Sequence, residues 1–289
     1  MMDRRRTPAN ARVADVSLKG QVKAERFVDG VAMQIGETRA PILAAPNGPR
    51  ERELITGEIF TVLEEHEGMA FGFADRDGYC GYVAGHFLHP RRDVTHRVVA
   101  VRSYRKENPG LKDTSRAVDL VFGSLVRVVD ARDGWSEIEI DLSGHGKPFH
   151  QYVPTVHLAP VGDLFSDPVS VAELFLGTPY LWGGNSALGI DCSGLVQAGC
   201  LACGIACPGD SDMQEAELGA PLSTTAPLHR GDLLFWTGHV AWVVDPETIL
   251  HANAHHMAVA YEGLEEAIAR IEAQGDGPVT ARKRLQELG

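Results

Sequence analysis

The 289-residue sequence has no apolar run approaching the roughly 18 residues that a membrane-spanning helix needs. Its basic start, MMDRRRTPANARVADVSLKG, has no apolar stretch behind it and does not read as a secretory signal. Positive charge is also short: 27 Lys and Arg stand against 39 Asp and Glu, a net charge of −12. Neither nucleic acid nor an anionic membrane surface is therefore expected as the main partner. Cysteine is scarce and odd in number, at positions 80, 192, 200, 203 and 207. Five thiols without a signal fit a reduced, cytoplasmic protein better than a disulfide framework. What is present, 44% hydrophobic and 23% charged residues, suits a globular chain with a core. Its length suggests two domains, or three small ones.

The first half contains a diverged repeat. Leu54, Gly57, Val62 and Gly68 match Leu120, Gly123, Val128 and Gly134 at an offset of 66. Tyr82-Val83 and Leu88 match Tyr152-Val153 and Leu158 at an offset of 70, with four residues inserted at LSGHGK. Each copy alternates apolar and polar residues in short runs broken by Gly and Asp, as half-buried antiparallel strands do. Copies of this size suit small barrels that close their own edges. Their rhythm resembles bacterial SH3-like domains.

The remainder, from about residue 166, changes period. SVAELFLGTPY and DCSGLVQAGCLACGIAC read as helices, PGDSD as a turn or loop, and EGLEEAIARIEA as an amphipathic helix over a sheet. DLLFW, HVAWVVD and TILHAN read as closely spaced strands, an α+β order.

Chemistry concentrates at GGNSALGIDCSGLVQ. Asp191 is a good N-cap, which puts Cys192 in a first helical turn, where unpaired N–H groups and the helix dipole favour a thiolate. A thiolate nucleophile needs a base, and the base needs an orienting partner. His239 and His251 open and occupy consecutive strands. They share a face only if the connection near Pro246 is odd in length or a bulge resets the register.

TPYLWGGNSALGIDCSGLVQ, DSDMQ and GDLLFWTGHVAWVVDPETILHANA resemble the NlpC-type family of papain-like cysteine peptidases over roughly residues 166–262. With two SH3-like domains ahead, the chain resembles the branch that cleaves murein peptides between γ-D-glutamate and a diamino acid. The resemblance implies an N-terminal arm (1–24), SH3-like barrels (25–92 and 93–162) and an α+β peptidase domain (163–289) whose nucleophile-bearing helix packs on an antiparallel sheet. It implies Cys192 as nucleophile, His239 as base, His251 as orienting residue and Tyr180 near the oxyanion, with no metal or cofactor. The Cys192 backbone amide would be a further oxyanion donor. Asp191, Ser193, Asp210 and Ser211 would hold the substrate, with Trp182 lining the site. Tyr79, or in its place Tyr82, would touch the terminal L-alanine, and Glu51, Glu53 or Glu58 would meet its amine. Gly209 departs from the family, which often has an arginine there. The implied partner is a short murein peptide recycled in the cytoplasm.

Other readings remain open. The thiol could serve an acyltransferase or amidase acting on another acyl group, or the chain could be an inert peptide-binding protein. Cys200, Cys203 and Cys207, spaced along one helical face, are expected to pack in the core rather than to hold a metal. His255 and His256 form a loop pair with no carboxylate nearby in the sequence. The RRR near the start reads as a solvated tail, and the aromatic-glycine run at Tyr180 and Trp182 could be a packed turn.

Overall fold

The computed structural model describes residues 2–140 and 148–285. The LSGHGK insertion lies outside the described residues. The chain divides into two compact units, Met1–Asp163 and Leu164–Gly289.

The first unit contains the same seven-stranded sheet twice. The first copy comprises β1 (Val31–Ile35), β2 (Arg39–Leu43), β3 (Arg50–Ile55), β4 (Ile59–His66), β5 (Met69–Ala74), β6 (Cys80–Ala84) and β7 (Leu88–Pro90). The second comprises β8 (His96–Val98), β9 (Arg102–Lys106), β10 (Ala117–Val121), β11 (Leu125–Arg132), β12 (Trp135–Ile140), β13 (Phe149–Pro154) and β14 (Leu158–Pro160). Spatial order is β3-β2-β6-β5-β4-β1-β7 in one and β10-β9-β13-β12-β11-β8-β14 in the other.

The repeat extends to backbone detail. The β4–β5 and β11–β12 hairpins turn on Glu67-Gly68 and Asp133-Gly134, with φ of 49° and 78°, and 51° and 79°. Two successive left-handed residues make the tight turn that matches strand twist, which is why glycine recurs at 68 and 134. Both long strands carry a register shift at equivalent places, Val62/Glu64 and Val128/Asp130. Val98, Leu120, Val126, Ile138, Ile140 and Val153 fill the second core.

The RRR stretch is largely exposed, as the solvated reading expects, but it is followed by a segment that joins the fold. Val13–Asp15 pairs in parallel with Arg26–Val28, and the fully buried Val13 packs on Leu63 and Phe71. Arg4 pairs with Glu51, and Arg12 and Arg26 both reach Glu64. Acidic side chains on the first sheet thus give the basic arm fixed partners.

The second unit holds helices α1 (Pro168–Glu173), α2 (Cys192–Ala202), α3 (Ser211–Glu217) and α4 (Leu264–Gln274). Its sheet is built from β15 (Ala220–Pro221), β16 (Asp232–Trp236), β17 (His239–Asp245), β18 (Thr248–Asn253), β19 (Ala258–Gly263) and β20 (Ala281–Arg284). The order is β15-β20-β16-β17-β18-β19, antiparallel throughout. Leu264, Ala267 and Ile271 of α4 pack on Leu234, Trp236, Ala241, Val243 and Ile249 of the sheet. Helix α2 packs against α1, β17 and β18.

Three elements differ from the sequence reading. The PGDSD loop runs straight into α3, because Asp210 in extended backbone is its N-cap. Helix α2 stops at Ala202: Gly204 takes φ 77°, and Gly204 and Ile205 N–H groups donate to the Leu201 and Cys200 carbonyls. That left-handed closure ends the helix before Cys207, so the three cysteines do not share one helical face. Glu262 and Gly263, read as the start of a helix, belong to β19, where Glu262 pairs with Ile249 and Gly263 with Thr248.

Candidate active site

Asp191 starts α2 as the sequence suggests. One carboxylate oxygen accepts the Gly194 N–H at 2.7 Å and the Ser193 hydroxyl at 3.1 Å, and the other accepts the Gly183 N–H at 2.9 Å. The residue therefore caps the helix and ties it to the glycine-rich loop. Gly194 has no room for a side chain, since a Cβ there would lie 2.5 Å from the Gly184 carbonyl oxygen. Cys192 occupies the first position of α2, at the positive end of its dipole, and is 5% exposed. Its Sγ lies 4.0 Å from the carbonyl oxygen of Gly238, the residue before His239. Helix α3 braces this turn from outside, with Gln214 Nε2 donating to the Ser193 carbonyl at 2.9 Å.

The two strand histidines come together through a bulge. Pro246 and Glu247 make a two-residue turn with Asp245 opposite Thr248, and a register shift between Asp245 and Val243 then sets Val243 against Ile249. Continuing that register puts His251 opposite Ala241, diagonal to His239 on one face. His239 Nε2 and His251 Nδ1 are 2.8 Å apart, and His251 Nε2 is 2.9 Å from Glu262 Oε2. Arg270 closes the row, donating from Nε and Nη2 to the two Glu262 oxygens at 2.8 Å each. Trp236 flanks His239 with ring centroids 5.7 Å apart.

Electrostatics favour neutral rings. Burial, then the neighbouring His251, holds His239 below the usual histidine range. Burial also holds His251 low, outweighing its hydrogen bond to Glu262. Burial works against ionised Glu262, but the Arg270 and His251 hydrogen bonds prevail and keep its carboxyl well below the usual range. Burial first, then the charges of Cys192 and Asp191, raises Tyr180 and keeps its phenol protonated. Burial and Asp77 push the Cys80 thiol up to about 12.

The other sequence-nominated residues fall in several places. Tyr180 is half-buried and pairs with Ile190 in a short parallel bridge, while Trp182 is 68% exposed. Asp210 and Ser211 are half-buried at the start of α3. Tyr79 is 2% exposed, and Tyr82 stacks on Phe71 with centroids 5.0 Å apart. Each acidic candidate for the amine has an arginine: Glu51 has Arg4, Glu53 has Arg39 and Arg50, and Glu58 has Arg76. Cys207 Sγ lies 3.5 Å from Gln214 Nε2.

His255 and His256 sit exposed in the turn between β18 and β19, as the sequence suggests, and the fold brings a carboxylate, that of Glu262, to His256. Pairing of β18 with β19 brings donor atoms of His251, His256 and Glu262 within 4.8 Å of one another. These donors already serve other bonds, because Arg270 holds both Glu262 oxygens and His256 Nδ1 lies 3.0 Å from Asn253 Oδ1. The set fits a hydrogen-bond network better than a metal centre. Glu262 and Arg270 escaped the sequence reading: strand pairing places Glu262 near His251, and α4 brings Arg270 to Glu262.

Residues 177–272 match the NlpC/P60 family. The chain carries a domain of this cysteine-peptidase family. Residues 42–88, ahead of the NlpC/P60 domain, match the bacterial dipeptidyl-peptidase Sh3 domain. The chain is 30% identical to dipeptidyl-peptidase 6 of Lysinibacillus sphaericus over 169 residues, 55% of this chain and 61% of that protein. It is 26% identical to γ-D-glutamyl-L-lysine dipeptidyl-peptidase of Bacillus subtilis over 213 residues, 68% of each chain. The crystal structure of an NlpC/P60 family protein from Bacillus cereus shares the fold, with a TM-score of 0.72, 16% identity and coverage of 88% of this chain and 99% of that one. Among the described residues, no helix is long and apolar enough to cross a membrane.

Proposed function

We propose that the protein is a cysteine endopeptidase that hydrolyses the bond between γ-D-glutamate and a diamino acid in short murein peptides with a free N-terminal L-alanine. Its place is cell-wall peptide recycling in the cytoplasm. The observation that carries this reading is the placement of Cys192 on a capped helix start, beside the turn that leads into a hydrogen-bonded histidine pair. The name of the Bacillus subtilis relative, γ-D-glutamyl-L-lysine dipeptidyl-peptidase, supports this substrate class.

Cys192 Sγ gives up its proton to His239 and attacks the γ-glutamyl carbonyl carbon. The oxyanion that forms is met by the Tyr180 hydroxyl and the Cys192 backbone N–H. The His239 imidazolium gives its proton to the departing amine as the C–N bond breaks, leaving a thioester on Cys192. Water, deprotonated by the same imidazole, adds to the thioester carbonyl and expels the sulfur, which releases the acyl dipeptide and restores the thiol. No metal or cofactor enters these steps.

The wider organisation belongs to the same proposal: an arm (1–24), SH3-like domains at 25–92 and 93–162, and a papain-like peptidase domain at 163–289. Asp191, Ser193, Asp210, Ser211 and Trp182 would line the substrate site.

The test is mass spectrometry of the products from L-Ala-γ-D-Glu-diaminopimelate with a free and with an acetylated N-terminus. Cleavage of the free peptide alone, to L-Ala-D-Glu and the diamino acid, is expected. Equal cleavage of both removes the free-amine requirement, and cleavage of neither removes the assignment.

A further inference from the structure

Glu262 takes no part in the steps above, yet the structure gives it partners on both sides. The paired register sets His251 opposite Ala260, so Glu262 is its diagonal neighbour on the same face of the sheet. The Arg270 guanidinium, eight residues along the chain, can only donate, and it holds both Glu262 oxygens. The Glu262 side chain is 8% exposed and that of His251 0%.

These facts fix an order of protons. A carboxylate held by arginine can only accept, so His251 Nε2, 2.9 Å away, carries the hydrogen between them. A neutral imidazole carries one N–H, so His251 Nδ1 accepts. The donor 2.8 Å away is then His239 Nε2–H. His239 in turn has one N–H, and its Nδ1 is left bare. The reverse order would set a ring lone pair against a carboxylate lone pair in a buried place. Arg270 adds a second control, because its charge balances that of Glu262 and removes the pull toward a His251 imidazolium, which would donate from both nitrogens and turn the row around.

We propose that Glu262, clamped by Arg270, is a positioning residue that sets the tautomer of His251 and through it that of His239, leaving His239 Nδ1 as the free base for Cys192. This deepens the peptidase reading and rests on it for its catalytic consequence.

The test uses the full chain with nitrogen-15 in its histidine rings, as wild type, Glu262→Gln and Glu262→Leu. The two rings are assigned by single His→Gln variants. At neutral pH the wild type is expected to show both rings protonated at Nε2 and bare at Nδ1. Glu262→Leu should populate the His251 Nδ1–H form, and the isosteric Glu262→Gln, whose amide can face either way, should show both orders. For tripeptide cleavage, Glu262→Leu should lower kcat by about 10–100-fold with KM within about twofold, since one orienting step of a general base is disturbed. A wild-type His251 protonated at Nδ1, or tautomers unchanged in both variants, overturns the proposal. If the tautomers follow the expected pattern but wild type cleaves nothing, the peptidase reading fails and the positioning role stands.

Discussion

His239 Nε2 and His251 Nδ1 stand 2.8 Å apart although their strands are joined by a two-residue turn, because a register shift between Val243 and Asp245 puts both rings on one face. Without that extra residue, the strand alternation would send one ring to the opposite face of the sheet. The arrangement yields predictions for stability and for chemistry.

Acid should destabilise the second unit in two stages. His239 and His251 titrate lower in the folded protein than the ordinary value of 6.5. Between the two values the unfolded chain binds more protons, so the stability they contribute is full above pH 6.5 and is lost as pH falls from there toward the folded values. Glu262 is also held low from 4.5, so its contribution is lost only below about pH 4.5. Each pH unit of separation is worth about 1.4 kcal/mol per group. Urea unfolding from pH 8 to pH 5 should show a falling midpoint in wild type and a shallower fall in His251→Gln. Equal slopes would contradict it.

Asp191→Ala removes the acceptor of the Gly194 and Gly183 N–H groups together. A cost of about 1–3 kcal/mol is expected from losing a cap and exposing a second buried donor. Asp191→Asn should recover part of this, because its oxygen can serve Gly194 while its amide group meets the Gly183 N–H unfavourably. Denaturant melts of the three proteins provide the comparison.

Arg284→Met should cost about 3 kcal/mol, since it strands a buried carboxylate. Asp232 is 1% exposed and receives Arg284 Nε and Nη2 at 2.7 Å each. These bonds anchor β20 to β16, so the loss should be accompanied by faster amide exchange across Ala281–Arg284.

The sequence carried the repeat down to its turns, since Glu67-Gly68 and Asp133-Gly134 stand at the two equivalent hairpins that need left-handed backbone. It also carried Asp191, because capping is local: the residue and the helix it starts are neighbours in the chain. Strands β16, β17 and β18 announce themselves through apolar content and spacing. Glu262 was hidden for the opposite reason. In EGLEEAIARIEA its helix-forming neighbours dominate, and only pairing with Ile249 reveals that it belongs to a strand. Cys207 was misplaced because helical periodicity continues past Gly204, whose left-handed backbone ends α2. The short strand β20 has no apolar alternation to mark it and owes its place to pairing with β16.

The measurement closest to the central claim is turnover of L-Ala-γ-D-Glu-diaminopimelate by wild type and by Cys192→Ala, followed by mass spectrometry, with melting curves to confirm equal folding. A nucleophile that forms the thioester cannot be replaced by a methyl group, so release of L-Ala-D-Glu is expected in the wild type and none above background in the variant. Release at the same rate from both would contradict the account.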